Sequence, residues 1–559
     1  LHSLRRRQRQ MCIRDRDLFM KKRLLSILLC CAMAVSMMTG CGNVDSEELA
    51  KSQAAASETE TTTAATEESS EGEKTTASNT FTIAIEADTG NTLNPFTSTD
   101  RYGLMTNNML FAPLARMNTD GSIDYVIADS IETSEDGLVY TVKIKENLKW
   151  SDGEPLTAED VVYSYNAENE AMQTFYVNGA PITFENPDDL TVVITLPEVS
   201  ANAMELLTSE NFVLPKHVFE SKGTFDINLL QDEIVCSGPY TLKEYQAGQH
   251  LYFTKNPNYV LGEAKTENVV FKIIEKADTA SLALQNGDIN AWIGLPDTIG
   301  PFEDNENYNI NNYSEGRVAY IRLNTASENM QDINYRKGIL KALDREEIMT
   351  AAYTDPEFFV LGYSFLPKGN KYYTEDLEKY EQNIEEAKEL TANGPKELTI
   401  TYVRTNATEE KMALAIQAEL KEIGINAQIE GVEQAAFMDV VLERENSPYD
   451  IMIGGYVMGI DPYAYASLFV SDQEGMMNMM NYDNATVNEL FVKGNATLDE
   501  TERQEIYTQA QQAVMEDAIF YPLGTNLRTL VTTSNVGGID EAKLVPIYTF
   551  SDLSKLTME

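Results

Sequence analysis

A regular hydrophobic pattern begins at residue 80. Apolar residues alternate with polar or small ones over 80–85 and again over 139–150, which is the pattern of half-buried β-strands. Thr157, followed three residues later by Asp160, has the pattern of a helix N-cap, and apolar residues recur after it. The segment from residue 80 to residue 163 is therefore predicted to mix strands and helices.

A strand–helix–strand pattern is clearest near residue 400. Residues 398–402 alternate as in a strand, residues 412–423 repeat apolar positions on one helical face, and residues 425–429 alternate again. Gly424 stands where a helix commonly ends. A helix over 437–444 and a strand over 449–453 follow. Because two strands joined by a crossover helix run parallel, this region predicts a parallel sheet.

The first 79 residues have a different composition. Residues 1–19 are Arg-rich and resemble translated adapter sequence, so we exclude them from the fold as a non-native overhang. Residues 20–40 combine a basic start with an apolar run of roughly 14 residues, which is typical of a secretory signal and short for a membrane span. Residues 41–79 are rich in Ser, Thr, Ala and Glu after Cys41, and we expect a disordered acidic tether.

Cys41 directly follows Met38-Thr39-Gly40 at the end of the apolar run. This order resembles the processing site of bacterial lipoproteins, although Met38 replaces the usual leucine. The resemblance implies that the Cys41 thiol receives a diacylglycerol and that the signal is removed before it. The protein is then expected outside the cytoplasm, anchored to the cell membrane by lipid, on a Gram-positive surface rather than in a periplasm.

Charge and cysteine content narrow the possible partners. Residues 1–40 hold nine of the 43 basic and two of the 88 acidic residues, which leaves 34 basic and 86 acidic residues after the signal. Such an acidic chain disfavours nucleic acid and anionic lipid headgroups, so we expect no nucleic-acid partner. Cys236 is the one cysteine of the chain beyond Cys41, and an internal disulfide is not expected.

Catalytic motifs are absent from the sequence. There is no G-x-S-x-G, H-E-x-x-H, Walker or G-x-G-x-x-G segment, and His217 and His250 are far apart. We expect no enzyme, no catalytic residues, no cofactor and no metal site. A surface hydrolase would need a nucleophile–base or metal constellation that the sequence does not contain.

Six segments carry a family resemblance. They are Trp150–Val161, Ser237-Gly238-Pro239-Tyr240, Asn256-Pro257-Asn258-Tyr259, Ala342–Glu346, Asp461-Pro462, and Arg503 with Tyr507 and Tyr521-Pro522-Leu523. In this order they resemble the peptide/nickel class of solute-binding proteins of ABC importers, family 5. We expect the segments themselves to determine the fold, because turns and caps account for most of them.

The resemblance implies an α/β, two-lobed, periplasmic-binding-protein-like fold of type II, cluster C, with mixed sheets flanked by helices. Lobe I is expected over 80–315, with an extra subdomain at about 126–235 and a return of the chain at 526–559. Lobe II is expected over 316–525. A ligand would be enclosed between lobes that close about hinge strands.

Arg404 follows the predicted strand 398–402 and matches the arginine with which dipeptide-binding members hold the peptide carboxylate. A guanidinium pairs with a carboxylate through two parallel hydrogen bonds, so the chemistry suits that role. The alternative is a surface arginine at a strand end.

The loop from Gly454 to Asp461 is the second candidate. Peptide-binding relatives carry a tryptophan and, three residues later, an aspartate for the peptide α-amine; here these positions are Tyr456 and Gly459. Asp461 either takes over the ammonium or caps a turn before Pro462. Gly454 and Gly455 would let a ligand backbone approach closely, and Tyr456 would form an apolar wall.

In lobe I, Asn91 and Leu93 follow the first strand and would face the cleft in this family; a simple loop is the alternative. The implied partners are a short peptide and an ABC permease with its ATPase, and the protein is expected to be a monomer. Another solute, such as an oligosaccharide, a metal chelate or haem, remains an alternative within the fold. A peptide-sensing lipoprotein without a transport role is a further one.

Overall fold

The computed structural model describes residues 79–559, except 91–92, 99, 209–210, 226, 231–233, 444–446 and 472–477. The predicted overhang, signal, lipidation site Cys41 and tether up to residue 78 lie outside the described residues, as does Asn91. No helix within the described ranges is long and apolar enough to cross a membrane.

The strands are β1 (Thr80–Ile85), β2 (Ala115–Met117), β3 (Ile123–Tyr125), β4 (Ala128–Thr133), β5 (Val139–Ile144), β6 (Tyr176–Val177), β7 (Ala180–Pro181), β8 (Thr183–Asp188), β9 (Thr191–Thr195), β10 (Tyr240–Gln246), β11 (His250–Lys255), β12 (Asn268–Ile273), β13 (Ala291–Gly294), β14 (Tyr308–Leu323), β15 (Phe359–Leu361), β16 (Glu397–Val403), β17 (Asn426–Val432), β18 (Ile451–Tyr456), β19 (Phe520–Thr533), β20 (Val536–Gly537), β21 (Leu544–Val545), β22 (Thr549–Phe550) and β23 (Thr557–Met558).

The α-helices are α1 (Arg101–Leu110), α2 (Ala158–Met172), α3 (Ala203–Thr208), α4 (Lys216–Lys222), α5 (Ala277–Gln285), α6 (Ile333–Lys341), α7 (Arg345–Tyr353), α8 (Ile384–Thr391), α9 (Ala407–Glu422), α10 (Gln434–Val441), α11 (Ala466–Phe469), α12 (Ala485–Ala496), α13 (Glu500–Glu516) and α14 (Ile539–Ala542).

One large mixed sheet organises the molecule, with the strand order β10-β11-β12-β1-β13-β19-β14-β18-β16-β17 and with β15 paired to β19. The long strands β14 and β19 are antiparallel neighbours at its centre. Residues 308–314 of β14 pair with 527–533 of β19, and residues 318–322 pair with 520–525. The register shifts between Ser314 and Val318, so these two strands connect the two halves of the sheet through an irregular segment.

The predicted parallel unit near residue 400 is confirmed. β16 and β17 are parallel in the register Leu398↔Ala427, and α9 joins them. Asn406 caps the start of α9 by accepting the Glu409 N–H, and Gly424, with φ +77°, follows its end. β18 adds to β16 in parallel through Ile400↔Ile451.

Helices cover both faces of the half of the sheet that contains β18, β16 and β17, which lies within the predicted lobe II. Ile321 and Leu323 of β14 pack on one face with Ile348 of α7 and Ile416 of α9. On the other face, Tyr320 packs with buried aromatic and aliphatic side chains of α11, α12 and α13, namely Phe469, Phe491 and Val514. Strands buried on both faces are nearly continuous apolar runs, and residues 318–323 of β14 form such a run apart from the fully buried Arg322.

A separate four-stranded sheet, β4-β5-β9-β8, packs with α2 around Trp150 and Tyr165. The predicted capping box at the start of α2 is confirmed: Thr157 accepts a backbone N–H, and Asp160 accepts the Thr157 N–H at 2.9 Å. Asp160 also accepts the Lys216 N–H at 2.9 Å. The acid thus ties the start of α2 to the start of α4.

Two of the resemblance segments meet at Gly238. A Cβ added to Gly238 would lie 2.3 Å from the carbonyl oxygen of Met109, so only glycine fits between the chain and the end of α1. The side chain of Asn256 donates to the Gly238 carbonyl at 2.9 Å. Buried Cys236 lies just before this turn and forms no disulfide among the described residues.

Arg345 gives a structural role to another of the resemblance segments, Ala342–Glu346. Its Nε donates to the Pro522 carbonyl at 2.8 Å, and its guanidinium lies 4.5 Å and 4.3 Å from the ring centres of Tyr363 and Tyr521. The arginine therefore fastens α7 to the central strand β19.

Candidate functional site

The carboxyl ends of several strands converge where the halves of the sheet meet. β18 is antiparallel to β14 and ends at Tyr456 opposite Val318, at the lobe-connecting part of β14. β16 and β17 run parallel to β18 and end on the same side. In the other half, β13 ends at Gly294 opposite Thr529 of β19, and β1 and β12 run parallel to it. Ligands of open α/β sheets bind outside such carboxyl ends, which makes this convergence the candidate cleft.

Glu315 occupies the irregular segment of β14 and forms ion pairs with two arginines. Its Oε1 lies 2.7 Å from Nη2 of Arg101 and 2.9 Å from Nη1 of Arg528. Burial raises the pKa of Glu315, but the two guanidinium groups outweigh burial and hold the pKa below its usual range. The three side chains therefore form an ionised cluster that joins β14, β19 and the start of α1.

Arg317, two residues later, points its charge toward lobe II. Its Nη2 lies 3.1 Å from Oε1 of Glu409, whose residue is buried in the first turn of α9. Burial raises the pKa of Glu409, and Arg317 opposes that rise. A Cβ added to Gly455 would lie 2.1 Å from Cζ of Arg317, and one added to Gly454 would lie 2.6 Å from the Tyr320 hydroxyl. In this structure the two glycines therefore make room for these protein side chains.

Arg404 lies directly after β16, at the carboxyl edge of the lobe II sheet. Its side chain is 61% exposed, and it pairs with Glu433 at 2.7 Å. Its Nε and Nη2 donate to the Gly431 carbonyl at 2.9 Å and 2.7 Å. An incoming carboxylate would compete with Glu433, whose side chain is 63% exposed. The carboxylate-binding role of Arg404 stays a prediction.

Asp461 is paired with Arg503 in this structure. The pair is bidentate, with both N–O distances at 2.7 Å, and the side chains of Arg503 and Asp461 are only 6% and 9% exposed. Oδ1 of Asp461 also accepts the Tyr463 N–H at 2.9 Å and caps the short 3₁₀ turn Pro462–Tyr465. Of the two roles that the sequence suggested for Asp461, the turn cap before Pro462 is present. In the other role, a peptide ammonium would have to share the Asp461 carboxylate with Arg503.

Tyr456 is buried in the lobe II core. Its hydroxyl donates to the Phe365 carbonyl at 2.5 Å, and its ring stacks on Tyr320 at 5.3 Å. Leu93 is likewise fully buried, in the hydrophobic core of lobe I. The structure thus gathers Arg404, Gly454, Gly455 and Tyr456 at the end of the lobe II sheet, with Asp461 farther along the loop. Leu93 packs inside lobe I.

Sequence reasoning missed the charged groups of the connecting strands. Glu315, Arg317 and Arg528 stand in β14 and β19 among residues that pair across the sheet, and Arg101 opens α1. The available signal was the Glu-Gly-Arg run of residues 315–317 between two strand-like halves. The same part of the molecule offers no group of His, Cys, Asp and Glu suited to a metal among the residues described.

Comparisons with known proteins identify the family and the fold. The model of the bacterial extracellular solute-binding proteins, family 5, matches residues 123–477. The crystal structure of the ABC transporter substrate-binding protein CtaP from Listeria monocytogenes superposes with a TM-score of 0.80 at 35% identity, covering 86% of this chain and 99% of that one.

The oligopeptide-binding protein AppA of Bacillus subtilis is 27% identical over 461 residues, which are 77% of this chain and 84% of AppA. The structure of that AppA in complex with a nonapeptide superposes with a TM-score of 0.69 at 24% identity, covering 86% of this chain and 99% of that one, and shows the shared fold.

Proposed function

Since the chain belongs to the bacterial extracellular solute-binding proteins of family 5, we propose that it captures short peptides and delivers them to the permease and ATPase of an ABC importer. The protein is a solute-binding protein of the ABC-importer class and not an enzyme, and its fold is the predicted two-lobed type II fold. The peptide ligand and its delivery are the proposal.

The single observation that carries the peptide assignment is the exposed guanidinium of Arg404 at the carboxyl edge of the lobe II sheet. A short peptide ends in a carboxylate, and a guanidinium pairs with it through two parallel hydrogen bonds. AppA of Bacillus subtilis, a relative of the chain over most of its length, is named for oligopeptide binding.

The ends of a peptide and its backbone are common to all sequences. A cleft that holds a peptide through these groups therefore tolerates many side chains, which suits a nutrient receptor. Asp461, Gly454, Gly455 and Asn91 complete the proposed ligand-facing set, whereas Tyr456 and Leu93, which are buried in the hydrophobic cores, support the two sides of the cleft from behind. The lobe boundaries at 315/316 and 525/526 and the subdomain at about 126–235 belong to the same proposal.

The proposal also includes the lipid anchor. Cys41 carries the diacylglycerol, residues 42–79 form the tether, and the monomeric receptor stands on the outer face of a Gram-positive membrane. Metabolic labelling of expressing cells with radioactive palmitate tests this part. Label should enter the wild-type chain and be lost in Cys41→Ala; equal labelling of both would refute the anchor.

The ligand is tested with purified protein. Mass spectrometry after denaturation identifies what co-purifies, and calorimetry then measures di-, tri- and nonapeptides beside free amino acids, a maltooligosaccharide, haem and nickel–histidine. Saturable binding of at least one peptide class, with weaker or no binding of the other solutes, is expected. Binding of a non-peptide solute together with failure of every peptide would overturn the proposal.

A further inference from the structure

A set of direct contacts joins the extra subdomain of lobe I to lobe II. Residues 201–205, at the start of α3, lie against residues 459–461 and against Asn495 of α12. Under the predicted boundaries these partners belong to opposite lobes. They are separate from the connecting strands β14 and β19, so they are a second connection between the lobes.

Glu205 makes the central contact. Its two carboxylate oxygens accept the backbone N–H groups of Ile460 and Asp461, the latter at 2.7 Å. Oε1 lies 2.6 Å from the place where a Cβ on residue 459 would stand, so Gly459 leaves the space that the carboxylate fills. Hydrogen bonds from N–H groups to a carboxylate are stronger than those between neutral groups, which makes this contact the strongest of the set.

Asn495 makes the neighbouring contact. The backbone carbonyl of Asn495 accepts the Ala201 N–H at 2.7 Å, and the side-chain Oδ1 of Asn495 accepts the Asn202 N–H at 3.2 Å. Nearby, the turn at Gly137 of the subdomain contacts the Leu498 side chain of lobe II. Two stretches of the subdomain, at Gly137 and at residues 201–205, thus contact two stretches of lobe II, at residues 459–461 and 495–498.

The surface that receives Glu205 is held in place from behind. The buried ion pair between Asp461 and Arg503 joins the loop to α13, and Asp461 also caps the turn that follows. A backbone held in this way keeps the two N–H groups directed at the carboxylate. The Glu205 carboxylate therefore binds a backbone segment that is already held in position.

We propose that Glu205 is a closure latch, which holds lobe I and lobe II together over the cleft and slows the escape of an enclosed ligand. The inference rests on the proposed function for the ligand but not for the contact itself. Rotation about the connecting strands separates residues of opposite lobes, so opening must break the Glu205 and Asn495 contacts together. Weakening one contact should then loosen the other.

Amide hydrogen exchange of the unliganded full-length chain, resolved by fragmentation mass spectrometry, tests the latch. Glu205→Ala removes both acceptors, Glu205→Gln keeps the side-chain shape, and Glu198→Ala removes an exposed acid of the same segment as a control. Loss of two charge-assisted hydrogen bonds should favour opening by roughly tenfold or more. Exchange at Ile460 and Asp461 should rise by that factor in Glu205→Ala, by less in Glu205→Gln, and stay unchanged in Glu198→Ala.

The Ala201 amide separates a latch from a local contact, because it is bonded to Asn495 and not to Glu205. A latch requires that its exchange also rise in Glu205→Ala, and that Asn495→Ala in turn raise exchange at Asp461. Exchange at Ile400, inside the lobe II sheet, should stay slow and report intact folding. A rise confined to residues 460 and 461, or no rise at all, overturns the latch.

The outcomes for the latch and for the peptide function are distinguishable. The exchange experiment contains no ligand, so coupled exchange supports the latch even where peptides fail to bind. Conversely, peptide binding with uncoupled exchange leaves the proposed function standing and removes the latch.

Discussion

Replacing Asp461 by alanine decides between the structural and the ligand-binding interpretation of this acid. The substitution leaves the guanidinium of Arg503 buried, with the Gly494 carbonyl at 2.8 Å and the Tyr372 hydroxyl at 3.1 Å but without a counter-charge. It also removes the cap of the turn at Pro462. If the acid is mainly structural, folding stability must fall even in the absence of any ligand.

The expected magnitude follows from the burial of both partners. Removing one partner of a buried, hydrogen-bonded ion pair destabilises a protein by about 3–5 kcal/mol. About 1 kcal/mol of that loss is attributable to the missing cap. The substitution is expected to destabilise the fold because burial disfavours the charge of Arg503, whereas Asp461 stabilises that charge and holds the pKa of Arg503 above its usual value.

Urea denaturation of the wild type and the variant, at equal m value, measures the loss. Asp483→Ala removes an exposed acid of lobe II as a matched control and should change stability by less than about 0.5 kcal/mol. The double variant Asp461→Ala/Arg503→Met should lose less than Asp461→Ala alone, because no uncompensated charge remains. A loss below about 1 kcal/mol in Asp461→Ala, with peptide affinity reduced instead, would refute the structural interpretation.

Three further predictions concern other parts of the molecule. Arg404→Ala should weaken peptide binding by more than about tenfold in calorimetry, because it removes a charge-assisted pair with the peptide carboxylate. Lys421→Ala, which removes an exposed cation of the same half of the molecule, should leave the affinity unchanged. Equal affinities of Arg404→Ala and the wild type would remove Arg404 from the site. Burial raises the pKa of Glu419 from 4.5 to about 8, so the folded chain retains a proton that the unfolded chain loses. The contribution of Glu419 to the free energy of unfolding is therefore complete below pH 4.5 and is lost as pH rises toward about 8, by at most about 1.4 kcal/mol per pH unit. Glu419→Gln should flatten this dependence of the free energy of unfolding on pH. An unchanged dependence would show that Glu419 titrates normally. Gly238→Ala forces a Cβ to within 2.3 Å of a carbonyl oxygen and should lower stability by at least about 2 kcal/mol, whereas Gly300→Ala, which has open space, should stay near wild type in the same thermal unfolding assay.

Local sequence patterns predicted the secondary structure where one short-range signal was sufficient. The capping box at Thr157 and Asp160, the parallel unit of β16, α9 and β17, and the turn at Gly424 depend on neighbours a few residues away, and each is confirmed. Boundaries were less exact. The strand expected over 449–453 runs from Ile451 to Tyr456, because its pairing with β14 continues to Val318.

The candidate site was less accessible to sequence reasoning. Arg404 could be proposed because a motif match placed it after a strand. Arg317 and Glu409 are 92 positions apart, and nothing in either segment indicates that they meet. The same holds for Asp461 and Arg503, which were noticed as separate motif residues and not as partners.

The sequence by itself determined the family, the α/β class and the acidic character of this protein, because motifs, periodicity and charge are properties of the linear chain. Only the tertiary structure decided which charges are paired. It paired Asp461 with Arg503, placed Tyr456 in a core, set Arg317 against Gly455, and brought Glu205 to the backbone of Ile460 and Asp461. The physical reason is that an ion pair or a buried hydrogen bond depends on distances of a few ångströms between atoms, and the path of the chain through the central sheet fixes those distances.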